Sequence, residues 1–283
     1  MMSSVSLITS PSVFPVAEMA LIPEGLNQML DWVQDYRPEC VPDPLPGDMN
    51  DRALALFPHA GIEADQEREL TDNELLVELG GRSCYHSYGL KAGRKSNAEY
   101  IQRMLFPEDG ILPHASVSYH AKMSFFVAGI SRRVSHELIR HYVGADRTEE
   151  GSPSQESTRY TFHPGHFIVP PRVLLAGDET VEEFRRAMQS AYDAYLRFIE
   201  SETEAYRVAY GAEPKMIDRK RIYEAAAGLL PMQATTSLLW TANPSSLAKM
   251  FRERANAAAD LEFQNLATAW QSLCQKRWPN LFK

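Results

Sequence analysis

Arg140-His141, followed after a spacer by Ser152-Pro153-Ser154-Gln155-Glu156-Ser157-Thr158-Arg159-Tyr160, is the stretch that decides how this chain is read. It sets arginines, hydroxyls and an amide close together. A guanidinium grips phosphate oxygens through two parallel charge-assisted hydrogen bonds, while Ser, Thr and Gln side chains read the edge of a sugar or base. The combination suits a nucleotide. Just upstream, Val134, Leu138, Ile139 and Tyr142 fall at helical spacing, which predicts a helix over Ser131 to Val143 presenting Arg140 and His141 at its C-terminal end.

Working outward, Val117, Tyr119, Ala121, Met123, Phe125 and Val127 alternate with mostly polar neighbours, the period of a strand with one buried face over His114 to Gly129. Thr71-Asp72-Asn73-Glu74 and Ser96-Asn97-Ala98-Glu99 are capping-box patterns, each opening a helix, with Cys84-Tyr85-His86 between the two helices. Thr180-Val181-Glu182-Glu183 opens a long helix that ends by Gly211, and another helix follows around Asp218 to Gly228. Thr235 to Thr241 is rich in strand formers. Asn243-Pro244 then supplies an N-cap and a first-turn proline for a helix carrying Leu247, Met250, Phe251 and Arg254 to about Leu273.

Residues 1–70 differ in texture, with Pro38, Pro42, Pro44, Pro46 and Pro58 interrupting any long helix and one amphipathic piece near Leu26 to Val33. They read as a Pro-rich N-terminal extension to a domain of residues 71–283. The chain has 283 residues, 44% of them hydrophobic and 23% charged, enough for a full core. Its net charge of −8 argues against binding a nucleic-acid polymer through a basic surface, so phosphate recognition is expected at a local arginine cluster. No apolar run approaches the roughly 20 residues that span a bilayer, and no secretory signal opens the chain; a cytoplasmic protein with no membrane partner is expected.

His136 and His141 are five apart, which turns them about 140° away from each other on a helix, so the zinc-protease spacing is not met. His163-Pro164-Gly165-His166 lacks a nearby carboxylate or cysteine to complete a site. No metal is expected. Cys40, Cys84 and Cys274 are far apart and read as reduced thiols, none in a Pro-Cys-His setting.

The order of blocks along residues 81 to 264 resembles that of the flavin-dependent thymidylate synthases. Gly81-Arg82-Ser83-Cys84-Tyr85, His114 to Ala121, Gly129-Ile130-Ser131-Arg132, Arg140-His141 with the Ser152 to Tyr160 loop, Leu229-Leu230-Pro231, Thr241-Ala242-Asn243 and Leu247 to Arg254 follow the family's segments in sequence. The resemblance implies an α/β fold built on an antiparallel sheet with flanking long helices, and a homotetramer with shared active sites. Cys84, Ser116, Arg140, His141, Asn243 and Lys249 would lie along FAD. Glu137, Gln155, Ser157, Thr158, Arg159 and Arg254 would hold the nucleotide, with Ser157, Arg159 and Arg140 nearest the chemistry. The implied reaction moves a methylene from methylenetetrahydrofolate to C5 of dUMP or UMP and reduces it through flavin, itself reduced by NADPH.

Several positions depart from the family. Tyr142 stands where a third motif arginine is expected, and the spacer after it is longer; Arg147 within that spacer is the candidate to restore the charge. Tyr119 replaces a glutamate, Ala227 an arginine that reaches the nucleotide, and Ala258 and Asp260 a histidine and a glutamine. Each lost charged hydrogen bond costs roughly 1.5 to 3 kcal/mol. Two alternatives therefore stand beside thymidylate synthesis: a flavoenzyme acting on another pyrimidine nucleotide, and a homologue that binds nucleotide without catalysis.

Overall fold

The computed structural model describes residues 4–40, 56–57, 70–85, 87–89, 96–107, 114–142 and 151–282. Pro42, Pro44, Pro46, Pro58, His86 and the spacer carrying Arg147 lie outside them. In chain order the elements begin with strands β1 (Ser6–Ile8) and β2 (Ser12–Glu18) and helices α1 (Pro23–Tyr36), α2 (Asp72–Tyr85) and α3 (Asn97–Leu105). A 3-10 turn at Ala115–His120 leads into β3 (Met123–Ser131), helix α4 (Arg132–Leu138) and a second 3-10 turn at Ile139–Tyr142. Strands β4 (Gly151–Gln155) and β5 (His166–Ile168) precede helices α5 (Pro171–Leu175), α6 (Asp178–Tyr210) and α7 (Met216–Ala226), the last continued by a 3-10 turn at Ala227–Leu229. Strand β6 (Thr235–Ala242) and helices α8 (Pro244–Arg254) and α9 (Leu261–Arg277) complete the chain.

The fold class is the one expected, an α/β architecture with an antiparallel sheet of order β2-β3-β6-β4 and long helices. A second, two-stranded sheet pairs β1 with β5 in parallel, Ser6 against His166 and Ile8 against Ile168. The chain separates into two compact units: residues 1–15, 125–241 and 250–270 in the first, and 16–124, 242–249 and 271–283 in the second. The first unit buries Val5, Phe167, Met188, Tyr192, Tyr195, Ala226 and Ala234 together, and sets Phe125 edge-on to Trp270 with ring centres 5.0 Å apart. In the second, Leu30, Val33, Cys40, Leu79 and Tyr88 form the core, and Gly80 lets α2 approach the Ala115–His120 turn so closely that a Cβ there would lie 2.5 Å from His120.

Local chemistry explains most helix ends. Ser96 and Glu99 form a reciprocal capping box, and Thr71 and Glu74 exchange the same pair of bonds at the start of α2. The side chain of Asn243 accepts from Ser246 N at 2.9 Å to cap α8, and Gly211 ends α6 with φ 63°. Three expectations are corrected. The strand over His114 to Gly129 starts only at Met123, because Val117 and the adjacent Ser118 are both buried, which a 3-10 turn permits and alternation forbids. Cys84-Tyr85 lies in the last turn of α2 rather than between two helices. The single helix to Leu273 is two: Asn256 folds back onto the carbonyls of Arg252 and Glu253, and the Asp260 carboxylate accepts from the N–H groups of Glu262 and Phe263 to start α9. Among the described residues no helix is long and apolar enough to cross a membrane.

Candidate active site

All six residues assigned to the nucleotide fall in the first unit. Ser131 caps α4 through its hydroxyl, which accepts from Val134 N, and that short helix ends in the 3-10 turn holding Arg140 and His141. Glu137 therefore sits one turn before His141. Arg254, at the end of α8, meets both: its Nε donates to His141 Nε2 at 3.0 Å and its Nη1 to Glu137 at 3.0 Å. Because arginine only donates, His141 must accept at Nε2, so the neutral ring carries its proton on Nδ1, 3.8 Å from the Glu253 carboxylate. Phe263 lies under the Arg254 guanidinium at 5.1 Å and edge-on to the buried His141 ring. Arg140 is exposed and forms no ion pair among the described residues.

The motif loop leaves β4 at Gln155. Its Nε2 donates to the hydroxyls of Ser135 and Thr236, at 3.0 and 3.1 Å, and Ser135 itself donates to Arg132 O. Both amide protons are thus committed, and the Oε1 acceptor is what remains for a ligand. Ser157 closes a tight turn, its carbonyl accepting from the N–H groups of Tyr160 and Thr161 and from the Thr161 hydroxyl, its own hydroxyl accepting from Arg159 N. Arg159 projects from this turn and donates through Nε to Glu224 on α7 at 3.1 Å; Thr158 is half-buried beside it. The Lys220 ammonium sits 4.7 Å from the centre of the Tyr160 ring, and its hydrogen bond and charge hold that phenol below its ordinary range.

The structure adds Arg133, which the motif order did not single out. It bonds Asp260 and Glu262 through Nη2 at 2.9 and 3.0 Å, and its Nη1 lies 3.8 Å from Glu137. The hydrogen bond that Arg133 donates to Asp260 leads the effects that raise the Arg133 pKa. Burial pushes the Asp260 carboxyl up, but bonds from Arg133 and the Phe263 N–H outweigh this and hold it below the usual range. The i, i+4 spacing of Arg133 and Glu137 was the available signal. Asp260, a departure from the motif, is thus spent on Arg133 and a helix cap. Ala227 ends α7 with no side chain beyond Cβ.

Of the flavin set, Arg140 and His141 belong to the first unit, and Cys84, Ser116, Asn243 and Lys249 to the second. Within the second unit, Tyr85, next to Cys84, touches the His114 ring edge-on, two residues before the exposed Ser116. Ser118 in the same turn hydrogen-bonds Ser245, in the first turn of the helix that Asn243 caps. Asn243 Nδ2 is buried and has no hydrogen-bond partner among the described residues, an unspent donor of the kind a flavin carbonyl accepts. The residues present fit the cofactor at this point. Lys249 is half-buried.

His163, in contrast, serves the core. Burial first, then the charges of Arg132 and His166, lower it from 6.5 to about 4. Its Nδ1 accepts from Gly165 N, and Tyr192 and Tyr195 bond its backbone. Burial also pushes the Cys274 thiol up, while Cys84 is exposed.

The family model described as thymidylate synthase complementing protein matches residues 68–280. A flavin-dependent thymidylate synthase of Mycobacterium sp. (strain JLS) is 34% identical over 210 residues, covering 72% of this chain and 76% of that protein. One from Corynebacterium aurimucosum is 30% identical over 233 residues, covering 81% and 87%. Among solved structures, a UMP/dUMP methylase PolB from Streptomyces cacaoi bound with 5-Br UMP superposes with a TM-score of 0.57 at 17% identity, covering 98% of this chain and 94% of that one. The 5-Br dUMP complex of the same protein gives 0.52.

Proposed function

This chain belongs to the thymidylate synthase complementing protein family, the flavin-dependent thymidylate synthases, and from that membership we propose that it transfers a one-carbon unit to C5 of a uridylate. The observation that carries the proposal is the double contact of Arg254. One guanidinium joins Glu137, assigned to the nucleotide, to His141, assigned to the flavin, so both ligands would be oriented by one charged set. FAD, when bound, supplies the hydride; Cys84, Ser116, Arg140, His141, Asn243 and Lys249 are the residues proposed to lie along it. Arg159 and Arg254 would take phosphate and base contacts, Gln155 an N–H donor through its remaining Oε1, and Ser157 and Thr158 the loop's hydroxyl contacts. NADPH as reductant, methylenetetrahydrofolate as carbon donor and a cytoplasmic setting belong to the same proposal, as does the division into a catalytic domain of residues 71–283 and an extension of 1–70; the family match beginning at residue 68 supports that division.

The substrate is proposed to be UMP as well as dUMP. Ala227 removes a charged contact and leaves room, and a pocket rejects an analogue strongly only when it leaves buried polar groups unpaired or creates a clash. The neighbouring methylase is described as acting on both nucleotides. Competition between dUMP and UMP on the FAD-loaded protein tests this: a preference for dUMP below about a hundredfold, near 2.7 kcal/mol, is expected, and a larger one returns the chain to ordinary thymidylate synthesis. Arg159→Ala is expected to weaken binding more than Arg147→Ala. A homotetramer is proposed with it, supported by Phe14, Phe126 and Leu239, which stay 52, 40 and 40% exposed on neighbouring strands of the sheet.

A further inference from the structure

Two consecutive residues of the motif loop are held by two residues of one helix face. Lys220 and Glu224 are four apart on α7, so both project to the same side, one turn from each other. Glu224 takes Arg159 at 3.1 Å, and Lys220 sits over Tyr160 at 4.7 Å. The turn closed by Ser157 fixes the loop backbone but not the side chains of Arg159 and Tyr160, which are exposed. Their direction is therefore set by α7. We infer that α7 positions the nucleotide-binding loop through this two-point clamp, with Glu224 orienting Arg159 and Lys220 seating Tyr160 as positioning residues for the uridylate.

The geometry of the Arg159 contact distinguishes a clamp from a competitor. Glu224 engages Nε, and among the described residues no partner takes Nη1 or Nη2. A phosphate is gripped by two parallel N–H groups, which the Nη1–Nη2 edge supplies while Nε stays bound to the carboxylate. An arginine already oriented loses less rotamer freedom when the ligand arrives. The same helix ends at Ala227, one turn beyond Glu224 and two beyond Lys220, where the family motif has its own nucleotide-binding arginine. In this chain the helix reaches the nucleotide indirectly, through the loop it steers.

The inference rests on the proposed role of Arg159, and the test separates the two. Titration of the FAD-loaded protein with UMP and with dUMP should give dissociation constants about two- to fivefold higher in Glu224→Gln, the range of an exposed ion pair, with the difference shrinking at high salt. Melting temperature and FAD affinity should not change. In an Arg159→Ala background the Glu224→Gln change should add nothing, a non-additivity that a merely structural residue would not produce. Lys220→Met paired with Tyr160→Leu should behave alike. Tighter nucleotide binding by Glu224→Gln, or equal binding while Arg159→Ala weakens it, overturns the clamp and leaves the role of Arg159 standing. If Arg159→Ala itself binds nucleotide as the parent does, the role of Arg159 falls and the clamp falls with it.

Discussion

Arg254 divides its guanidinium between an imidazole and a carboxylate, and that division is the most consequential single-residue feature of the site. Among the described residues, removing it leaves Glu137 facing only Arg133, 3.8 Å away, and takes from His141 Nε2 the guanidinium donor. Arg254→Ala should lower uridylate affinity by at least about tenfold, since a charged hydrogen bond contributes roughly 1.5 to 3 kcal/mol, and Arg254→Lys should not restore it, because an ammonium cannot reach both partners as the fork does. Calorimetric titration checks both. His163 gives a second test, of stability. Its folded pKa of about 4 lies below the ordinary 6.5, so the unfolded chain binds the extra proton; the stabilising effect is complete above 6.5 and lost as pH falls toward 4. Between about pH 7 and about pH 5 the parent should lose about 2 kcal/mol that His163→Gln does not lose, measured by urea unfolding. At this scale the motif order singled out Glu137, His141 and Arg254, which the structure joins by hydrogen bonds, whereas Lys220 and Glu224 act through partners distant in sequence and Arg133 carried only its i, i+4 spacing to Glu137.

Among the elements, those whose ends are set by neighbouring side chains were legible. The Ser96 to Glu99 box, the Asn243 cap and the Gly211 stop each depend on residues within one turn, so sequence alone located them. The Ala115–His120 turn depends on a tertiary partner, Ser245, whereas the break between α8 and α9 is made by local bonds of Asn256 and Asp260 that the expectation of one continuous helix passed over. Asp260 is the element-scale test, because it both caps α9 and pairs with Arg133. Asp260→Ala should cost about 2 kcal/mol, while Asp260→Asn, which keeps a capping oxygen and loses the charge, should cost about half as much. Equal losses in the two variants would show that the cap contributes nothing.

At the scale of the whole molecule, the thiols report how the fold protects its interior. Cys84 is exposed and Cys40 and Cys274 are buried, so a small alkylating reagent should label Cys84 alone in the native protein and all three after unfolding. FAD should slow the labelling of Cys84 if that residue lies along the flavin. Sedimentation at micromolar concentration should show a tetramer; a monomer that turns over would contradict shared sites. The chemistry itself was legible because its residues recur in a fixed order over residues 81 to 264, but the accepted nucleotide was not, since Ala227 records only what is missing. The most direct measurement incubates the FAD-loaded protein with NADPH, methylenetetrahydrofolate and UMP or dUMP and identifies the nucleotide product by mass spectrometry. The account predicts a 5-methyl uridylate whose formation requires FAD and is lost in Arg254→Ala. A protein that takes up no FAD, or one that takes it up and returns both nucleotides unchanged, would contradict it.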